Sequence, residues 1–412
     1  MLRTRHNDTA NVFRSRRFIR LATGIRDDKR LGSILVMSAG VLVVAFAFAA
    51  FTIDLGFIAI TRAELRNASD AAVLAAVQEL HSGLSGGAVN DADEIATTAG
   101  NAARDVAELN PAGGLDSVYI DPSQDVRFGQ YQWDASLETW HEAWGVEPYT
   151  LAEITVHRDR GSALDVNGTS LDGPVPLFFA PVIGHQNASL VTTSAAALFP
   201  GVGFKISSES TTTVNILPIA LDEDTWNKLI NDGIGDDNYS YNAALGKVQN
   251  TGDNILEANL YPSGSSSLPP GNRGTVDIGS PSNSTNDLKR QILSGINADD
   301  LSWFDGEIRY DGTPLELNGD TGLSAGIESA LKSVIGQVKA IPLFTSVSGP
   351  GNNATYVIGR FVGVRIMDVR LTGGPNNRRV VIQPAPFSHS SVVRGKTEVK
   401  LDSIFTTPVL VR

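Results

Sequence analysis

The sequence predicts an α+β protein in which a long N-terminal transmembrane helix extends into two exported, β-rich α+β domains. Three observations support this prediction. Residues 34–53 form a run of 20 residues without a charge. Residues 54–80 continue in helix-forming residues without a proline. After residue 118, apolar and polar residues alternate in short runs within a chain of 40 glycines, which favours strands and loops over a helical bundle.

Length and composition exclude several kinds of chemistry. A chain of 412 residues is long enough for two or three domains with a sizeable core. It has no cysteine, so disulfides, thiolate nucleophiles and thiolate metal sites are excluded. The six histidines are scattered, and no H-E-x-x-H motif is present. We therefore predict a protein that is not an enzyme, with no catalytic residue, no metal and no cofactor.

The charge-free run at residues 34–53 is predicted to be the membrane anchor. About 20 apolar residues at about 1.5 Å each cross the hydrocarbon core of a bilayer, and a helix pairs every backbone group internally. The anchor residues that we single out along it are Ile34, Leu42, Phe46 and Ile53. A cleaved signal peptide is the alternative, since Ala47-Phe48-Ala49 matches an A-x-A cleavage site. The run is longer than a signal h-region of about 7–15 residues and its helix continues, which favours a retained anchor.

Residues 1–33 are predicted to be a basic cytoplasmic tail. Before Ser33 there are nine Arg or Lys residues and three acids, whereas the whole chain has a net charge of -12. Basic residues beside a spanning helix stay on the cytoplasmic side, so the remainder is exported. The charges that set this topology include Arg16, Arg17, Arg20, Lys29 and Arg30. Nucleic-acid binding is the alternative for this tail, but contact with anionic headgroups fits its membrane-flanking position better.

Residues 54–80 are predicted to form a juxtamembrane helix with one face of small residues. Ala68, Ala72 and Ala76 recur every four residues and share that face with Leu65. Small residues let another helix approach closely. This face either packs laterally against a partner helix or packs on the exported part of the same chain, and the sequence leaves both possibilities open.

The same stretch carries the motifs of a known family. Gly32-Ser33 precedes the apolar run, Asp54-Leu55-Gly56 follows it, and the block Asn67–Ala72 reads N-A-S-D-A-A. These features resemble the N-terminal region of TadG-like (TadE/TadG) proteins of bacterial Tad/Flp pilus assembly. The resemblance implies a single-pass inner-membrane component that works with other pilus-assembly proteins in surface adhesion. Pilin precursors have a glutamate where Met37 stands, five residues after Gly32, so this chain resembles an uncut accessory member rather than a filament subunit.

Residues 81–200 are predicted to form the first exported domain. Helical spacing covers residues 93–109. Strand-like runs follow at 118–120, 126–133, 152–158, 175–180 and 188–198. Several of these runs resemble strands of TadG-like chains, which extends the likeness more loosely to about residue 200.

Residues 201–214 are predicted to be a Gly/Ser/Thr-rich linker, and residues 215–412 a second α+β domain. Predicted helices begin near Thr225 and cover residues 286–296 and 324–335, and predicted strands cover 215–221, 340–346, 354–371, 380–383 and 409–411. Pro218 predicts an edge position for the first of these strands, because proline cannot donate to a ladder. Gly359 and Gly363 predict a bend or bulge in the long strand 354–371.

Three short segments contain residue types that could form a chemical site. Asp121-Pro122-Ser123-Gln124-Asp125 approximates a metal-adhesion motif, yet it suits a plain turn. Ser388-His389-Ser390-Ser391 contains a hydroxyl and a base, but sequence neighbours rarely reach triad geometry. His141, between Trp140 and Trp144, fits a loop or sheet-surface cluster. A membrane-tethered extracytoplasmic binding or adhesion module, or an ecto-hydrolase, is the alternative function. The sequence does not determine the direct partner, a ligand of residues 215–412 or the oligomeric state.

Overall fold

A computed structural model describes residues 31–84, 91–164, 167–261, 273–279, 284–349, 351–374 and 377–412. The basic tail up to residue 30, with its topology charges, lies outside the described residues. The chain divides into two compact units, Met1–Ile53 and Asp54–Arg412.

A single helix, α1, runs from Leu31 to Gly83 and confirms the predicted long helix. It is the one helix of the described chain whose length and composition suffice to cross a membrane. In its first part the large apolar side chains are exposed by 51–71%, among them Ile34 (70%), Leu42 (56%), Phe46 (64%) and Ile53 (52%). A run of this kind without a charge is stable as an exposed helix only in an apolar medium.

Among the described residues after Asp54 there are five further α-helices: α2 (Ala92–Ala107), α3 (Glu223–Asn231), α4 (Thr285–Ser294), α5 (Ala298–Leu301) and α6 (Glu328–Ser333). Short 3₁₀ helices cover Ala180–Ile183, Ser302–Phe304, Ala325–Ile327 and Gly351–Asn353. Asp91 caps α2 and Asp222 caps α3, each by accepting a backbone N–H of the first turn.

The strands up to residue 222 are β1 (Val126–Asp134), β2 (Thr139–Trp144), β3 (Leu151–Arg158), β4 (Val175–Pro176), β5 (Asn187–Ala188), β6 (Leu190–Ala197), β7 (Gly201–Lys205) and β8 (Ile219–Asp222). Those up to residue 321 are β9 (Ser240–Asn242), β10 (Lys247–Gln249), β11 (Ala258–Asn259), β12 (Gly274–Val276), β13 (Glu307–Arg309) and β14 (Leu315–Thr321). The remainder are β15 (Val338–Ser348), β16 (Ala354–Arg370), β17 (Arg379–Pro384), β18 (Phe387–Ser388), β19 (Val392–Arg394), β20 (Ile404–Phe405) and β21 (Val409–Leu410).

The first sheet has the order β2-β1-β3-β6-β21 and is antiparallel throughout. Its inner face shares one hydrophobic core with the second half of α1 and with α2. Alanines supply much of this core on both sides, which lets the helices lie close to the sheet. The opposite face carries a smaller cluster in which Phe199 packs edge-on against Tyr131 and Trp140.

The second sheet closes on itself. Strands β16, β14, β12, β8 and β15 pair in that order, and β15 pairs back onto β16. β8 and β15 are parallel, and the other pairs of this ring are antiparallel. Tyr356 is fully buried, and Gly319 and Gly274 leave no room for a Cβ beside it. The chain beyond residue 215 thus confirms the predicted α+β character.

Three predicted elements of the first part differ from the structure. Residues 118–120 do not form a strand, although Val118 and Ile120 are buried. The predicted strand 175–180 is limited to Val175–Pro176, because the backbone N–H groups of residues 178–180 bond a side chain instead of a ladder. The predicted linker begins with β7, which pairs with β13 and β19. The domain boundary itself stays a prediction.

Further differences concern the second part. The strand predicted at an edge begins only at Ile219, beyond Pro218, so β8 can lie between β12 and β15. The predicted strand 409–411 joins β6 of the first sheet rather than the second sheet. The helix predicted over residues 286–296 is α4, which covers Thr285–Ser294 and is capped by Ser284. The bulge predicted in the long strand is confirmed at Gly359, where β16 has one more residue than β15 between paired positions.

Candidate functional site

The site is built around the second half of α1 and begins at Asp54. Asp54 is the first charged residue after the apolar run, and only 2% of its surface is exposed. Its carboxylate accepts backbone N–H bonds from Phe178 (2.8 Å), Phe179 (3.0 Å) and Ala180 (2.6 Å). Hydrogen bonds to an ionised acceptor are about twice as strong as neutral ones. Asp54 therefore fixes a distant loop of the chain to the helix directly after its apolar run.

The small-residue face of α1 lies inside the protein's own core. Leu65, Ala68, Ala72 and Ala76 are all fully buried in the cluster that α1 forms with α2 and the first sheet. These four residues were predicted to face either a partner helix or the chain itself, and the structure places them against the chain itself. A partner would have to bind another face of the helix.

A polar network joins α1 to β6 within this core. Ser69 Oγ lies 2.6 Å from Ser194 Oγ, and Ser194 donates to Asp70 at 2.5 Å. Asp70 also pairs with Arg66 one helical turn away. Arg66 in turn donates to the Thr193 carbonyl at 3.4 Å. Because buried polar groups need partners, this network specifies how the helix is seated on the sheet.

A second polar contact holds α1 to the loop after α2. Glu64 accepts the Gly113 backbone N–H at 2.9 Å, and Arg158 donates to the Ala112 carbonyl at 3.0 Å. Gly113 has a φ of 57°, and a Cβ there would lie 2.6 Å from the Thr61 methyl group. Only glycine combines this backbone conformation with so close an approach of the helix.

The exposed face of α1 borders a shallow groove of about 500 Å³. It is lined by Ala59, Arg62, Ala63 and Arg66 of the helix and by Val191, Thr192 and Thr193 of β6. Thr192 Oγ1 is buried and has no hydrogen-bond partner among the described residues. The groove thus combines small side chains with two guanidinium groups.

One side of β6 is open along this groove. β3 pairs with all of β6, whereas β21 pairs only with Ala196 and Ala197. The backbone N–H and C=O of Ala195 face the C-terminal strand, bonding Val411 and Arg412. In an antiparallel ladder alternate residues point the same way, so Thr193 and Val191 face that side too. Among the described strands none continues the ladder there.

The three candidate chemical segments of the sequence form local structure. Asp121 accepts from the Ser123 N–H and hydroxyl and from Gln124, and the hydrogen bond with Ser123 lowers the pKa of Asp121. His389 Nδ1 accepts the Ser391 N–H at 3.1 Å and lies 2.7 Å from its hydroxyl. Burial lowers the pKa of His389. Both arrangements are turns closed by their own side chains.

Neither a metal cluster nor a catalytic constellation emerges in the described part of the chain. No three His, Asp or Glu residues there are arranged to hold a metal ion. His141 lies on β2, beside Trp140, which stacks on Tyr131 with ring centroids 5.9 Å apart. The predicted sheet-surface cluster is confirmed for these aromatic residues.

Sequence reasoning missed the role of Asp54 and the open side of β6. An acid directly after an uncharged run of 20 residues was a visible signal, since a buried carboxylate requires partners. Which backbone amides bond it depends on a loop more than 120 residues away. The open side of β6 depends on where β21 stops and could not be read from the sequence.

Comparison with known proteins identifies the N-terminal region. Residues 32–79 match the family model described as putative Flp pilus-assembly TadE/G-like. The matched segment covers the apolar part of α1 and nearly all of its buried second half. No curated protein and no solved structure matches the chain.

Proposed function

We propose that this chain is a single-pass inner-membrane component of Tad/Flp-type pilus assembly that presents an exported protein-interaction region. One observation carries the proposal. The segment that matches the TadE/G-like model is the helix that is apolar enough to cross a membrane and then enters the folded core. The second half of this helix is part of the core of the folded region.

The proposed topology places residues 1–33 in the cytoplasm and the region after residue 54 outside it. The basic residues of the tail support this orientation. The natural chain has no cysteine, so single-cysteine variants can be labelled without background. Leu137→Cys, at an exposed turn, should react with an impermeant maleimide in intact spheroplasts. Ala22→Cys should react only after the membrane is permeabilised, and the reverse pattern would contradict the topology.

The role in pilus assembly is tested in a bacterium that displays Flp-type pili. Deleting the gene should abolish pilus display and surface adherence, and the full-length chain should restore both. Intact pili and adherence in the deletion strain would sink the proposed role while leaving the membrane topology untouched.

We propose that the partner surface is the groove beside the open side of β6, occupied by an extended segment of another pilus-assembly protein. Val191 and Thr193 present backbone groups that an added strand could pair. Arg62 and Arg66 border the groove and favour acidic residues in that segment. The incoming strand would replace the Arg66 hydrogen bond to the Thr193 carbonyl.

A photocrosslinker tests this surface in cells. The probe is attached to Ala63→Cys in the groove and, as a control, to Leu245→Cys, which is 63% exposed elsewhere. Adducts at Ala63 that contain a peptide of a pilus-assembly protein, and that Val191→Pro reduces, would support strand addition. Equal adducts from both positions would argue against it, as would an absence of adducts at Ala63.

A further inference from the structure

An exposed apolar loop lies beside the residue that directly follows the anchor. We define the apolar loop as residues 177–185. Its exposed side chains include Phe178 (64%), Phe179 (43%), Val182 (89%) and Ile183 (67%). Exposed apolar residues that occur singly are ordinary, but four within six residues form a patch that needs an apolar surrounding.

The loop is ordered by its own hydrogen bonds. β4 and β5 pair at its base, and Leu177 N–H donates to the Gln186 carbonyl at 3.0 Å. The 3₁₀ helix Ala180–Ile183 forms its tip and ends at Gly184, whose φ is 94°. These hydrogen bonds fix the backbone of the loop, and its apolar side chains point outward. Polar residues could have occupied these exposed positions.

Asp54 determines where this loop lies along helix α1. Its carboxylate accepts hydrogen bonds from the backbone N–H groups of Phe178, Phe179 and Ala180. The ring centroids of Phe57 and Phe178 lie 5.1 Å apart. Asp54 follows the last residue of the apolar run directly. If residues 34–53 span the bilayer, the loop must lie at the depth where the helix leaves it.

The charge distribution of the loop suits that depth. Between Asp172 and Lys205 the chain has no Asp, Glu, Lys or Arg, and the only titratable side chain of the loop is His185. Burying apolar side chains in the headgroup and acyl boundary is favourable, whereas burying a charge there is costly. Leu55, 50% exposed and next to Asp54, adds apolar surface at the same level.

We infer that the apolar loop 177–185 inserts into the outer face of the lipid bilayer as a second membrane contact beside the transmembrane helix. This inference rests on the proposed anchoring by residues 34–53. With two points of contact, the folded region could not rotate freely about a single helix. It would present its surfaces at a defined tilt to the membrane.

Depth measurements in vesicles test the inference. The full-length chain is reconstituted into vesicles of phosphatidylethanolamine and phosphatidylglycerol, with an environment-sensitive fluorophore on a single cysteine. We expect the Val182→Cys probe to shift its emission to the blue and to be quenched by lipids spin-labelled near the headgroup. The matched control is Leu245→Cys, an exposed leucine on the β9–β10 hairpin, which should show neither change.

A third probe separates this inference from the anchor. Phe46→Cys, in the middle of the apolar run, should be quenched by spin labels deep in the acyl chains. Quenching at Phe46 with a water-exposed Val182 probe would overturn the loop's insertion and leave the anchor intact. An unquenched Phe46 probe would overturn the anchor and, with it, the inference. Equal quenching at Val182 and Leu245 would also overturn it, since the contact would not be specific to the loop.

Discussion

At the scale of single residues, buried acids serve two different roles in this protein. Asp54 is satisfied by three backbone amides and holds the apolar loop. Asp277 is buried near Asp287 and Asp300, and burial, reinforced by these two carboxylates, raises its pKa to about 6. Arg290 pairs with Asp287 and Asp300 at 2.8 and 2.5 Å. Asp54 therefore joins two distant parts of the chain, whereas burial of Asp277 favours its neutral, protonated form.

The raised pKa of Asp277 predicts a pH dependence of stability. Between about pH 4 and pH 6 the folded state binds a proton that the unfolded state has already released. The free energy of unfolding should therefore fall as the pH rises through this window, by on the order of 1–2 kcal/mol. Asp277→Asn should remove this decline and be more stable than the natural chain at pH 7. Urea denaturation across this pH range measures it, with the exposed Asp116→Asn as a control that keeps the decline.

At the scale of elements, α1 presents two faces with different tolerance to larger side chains. Ala72 is fully buried against α2 and the first sheet, whereas Ala63 lies on the exposed side at the groove. Ala72→Leu should overpack the core and destabilise the folded region by about 1–3 kcal/mol. Ala63→Leu should change the unfolding free energy by less than about 0.5 kcal/mol.

Denaturation of the full chain in detergent, followed by tryptophan fluorescence, compares these two variants. If both variants lowered the free energy of unfolding by the same amount, the face of α1 that is buried would not be the one that the structure assigns. Ala63→Leu should still weaken partner capture in the groove, which separates binding from folding.

At the scale of the whole molecule, the C-terminal part of the chain returns to the first core. Phe405 is fully buried in the cluster of α1, α2 and the first sheet, and its ring lies 6.3 Å from that of His81. Nearby, β21 pairs with β6. The two predicted exported domains are therefore linked by packing as well as by chain continuity.

Phe405→Ala tests this return. Removing this buried phenylalanine ring should lower the free energy of unfolding by about 3–5 kcal/mol, because it leaves a cavity. Hydrogen exchange should accelerate in the last turns of α1, around Leu80 and His81, although they are distant in sequence. Val409→Ala, at a half-exposed position, should leave that exchange unchanged. Unaltered protection of α1 in Phe405→Ala would show that the C-terminal part does not support the first core.

Much of the local structure could be predicted because it depends on local patterns. The long helix, α2 and the strands β1, β3 and β16 follow from charge-free runs, helical spacing and alternation. The failures occurred where a distant group decides. Residues 178–180 would read as a strand, but Asp54 takes their N–H groups. Residues 409–411 have strand character, yet only the position of β6 decides which sheet they join.

By itself, the sequence determined that a charge-free helix of membrane length leads into an α+β region, and that its motifs resemble TadE/G-like proteins. Hydrophobicity and helix propensity act along the chain, so they can be read from it. Only the tertiary structure decided which face of α1 is buried, what Asp54 binds and which side of β6 stays open. These depend on contacts between residues more than 100 positions apart, which hydrogen-bond satisfaction and close packing select only in the folded molecule.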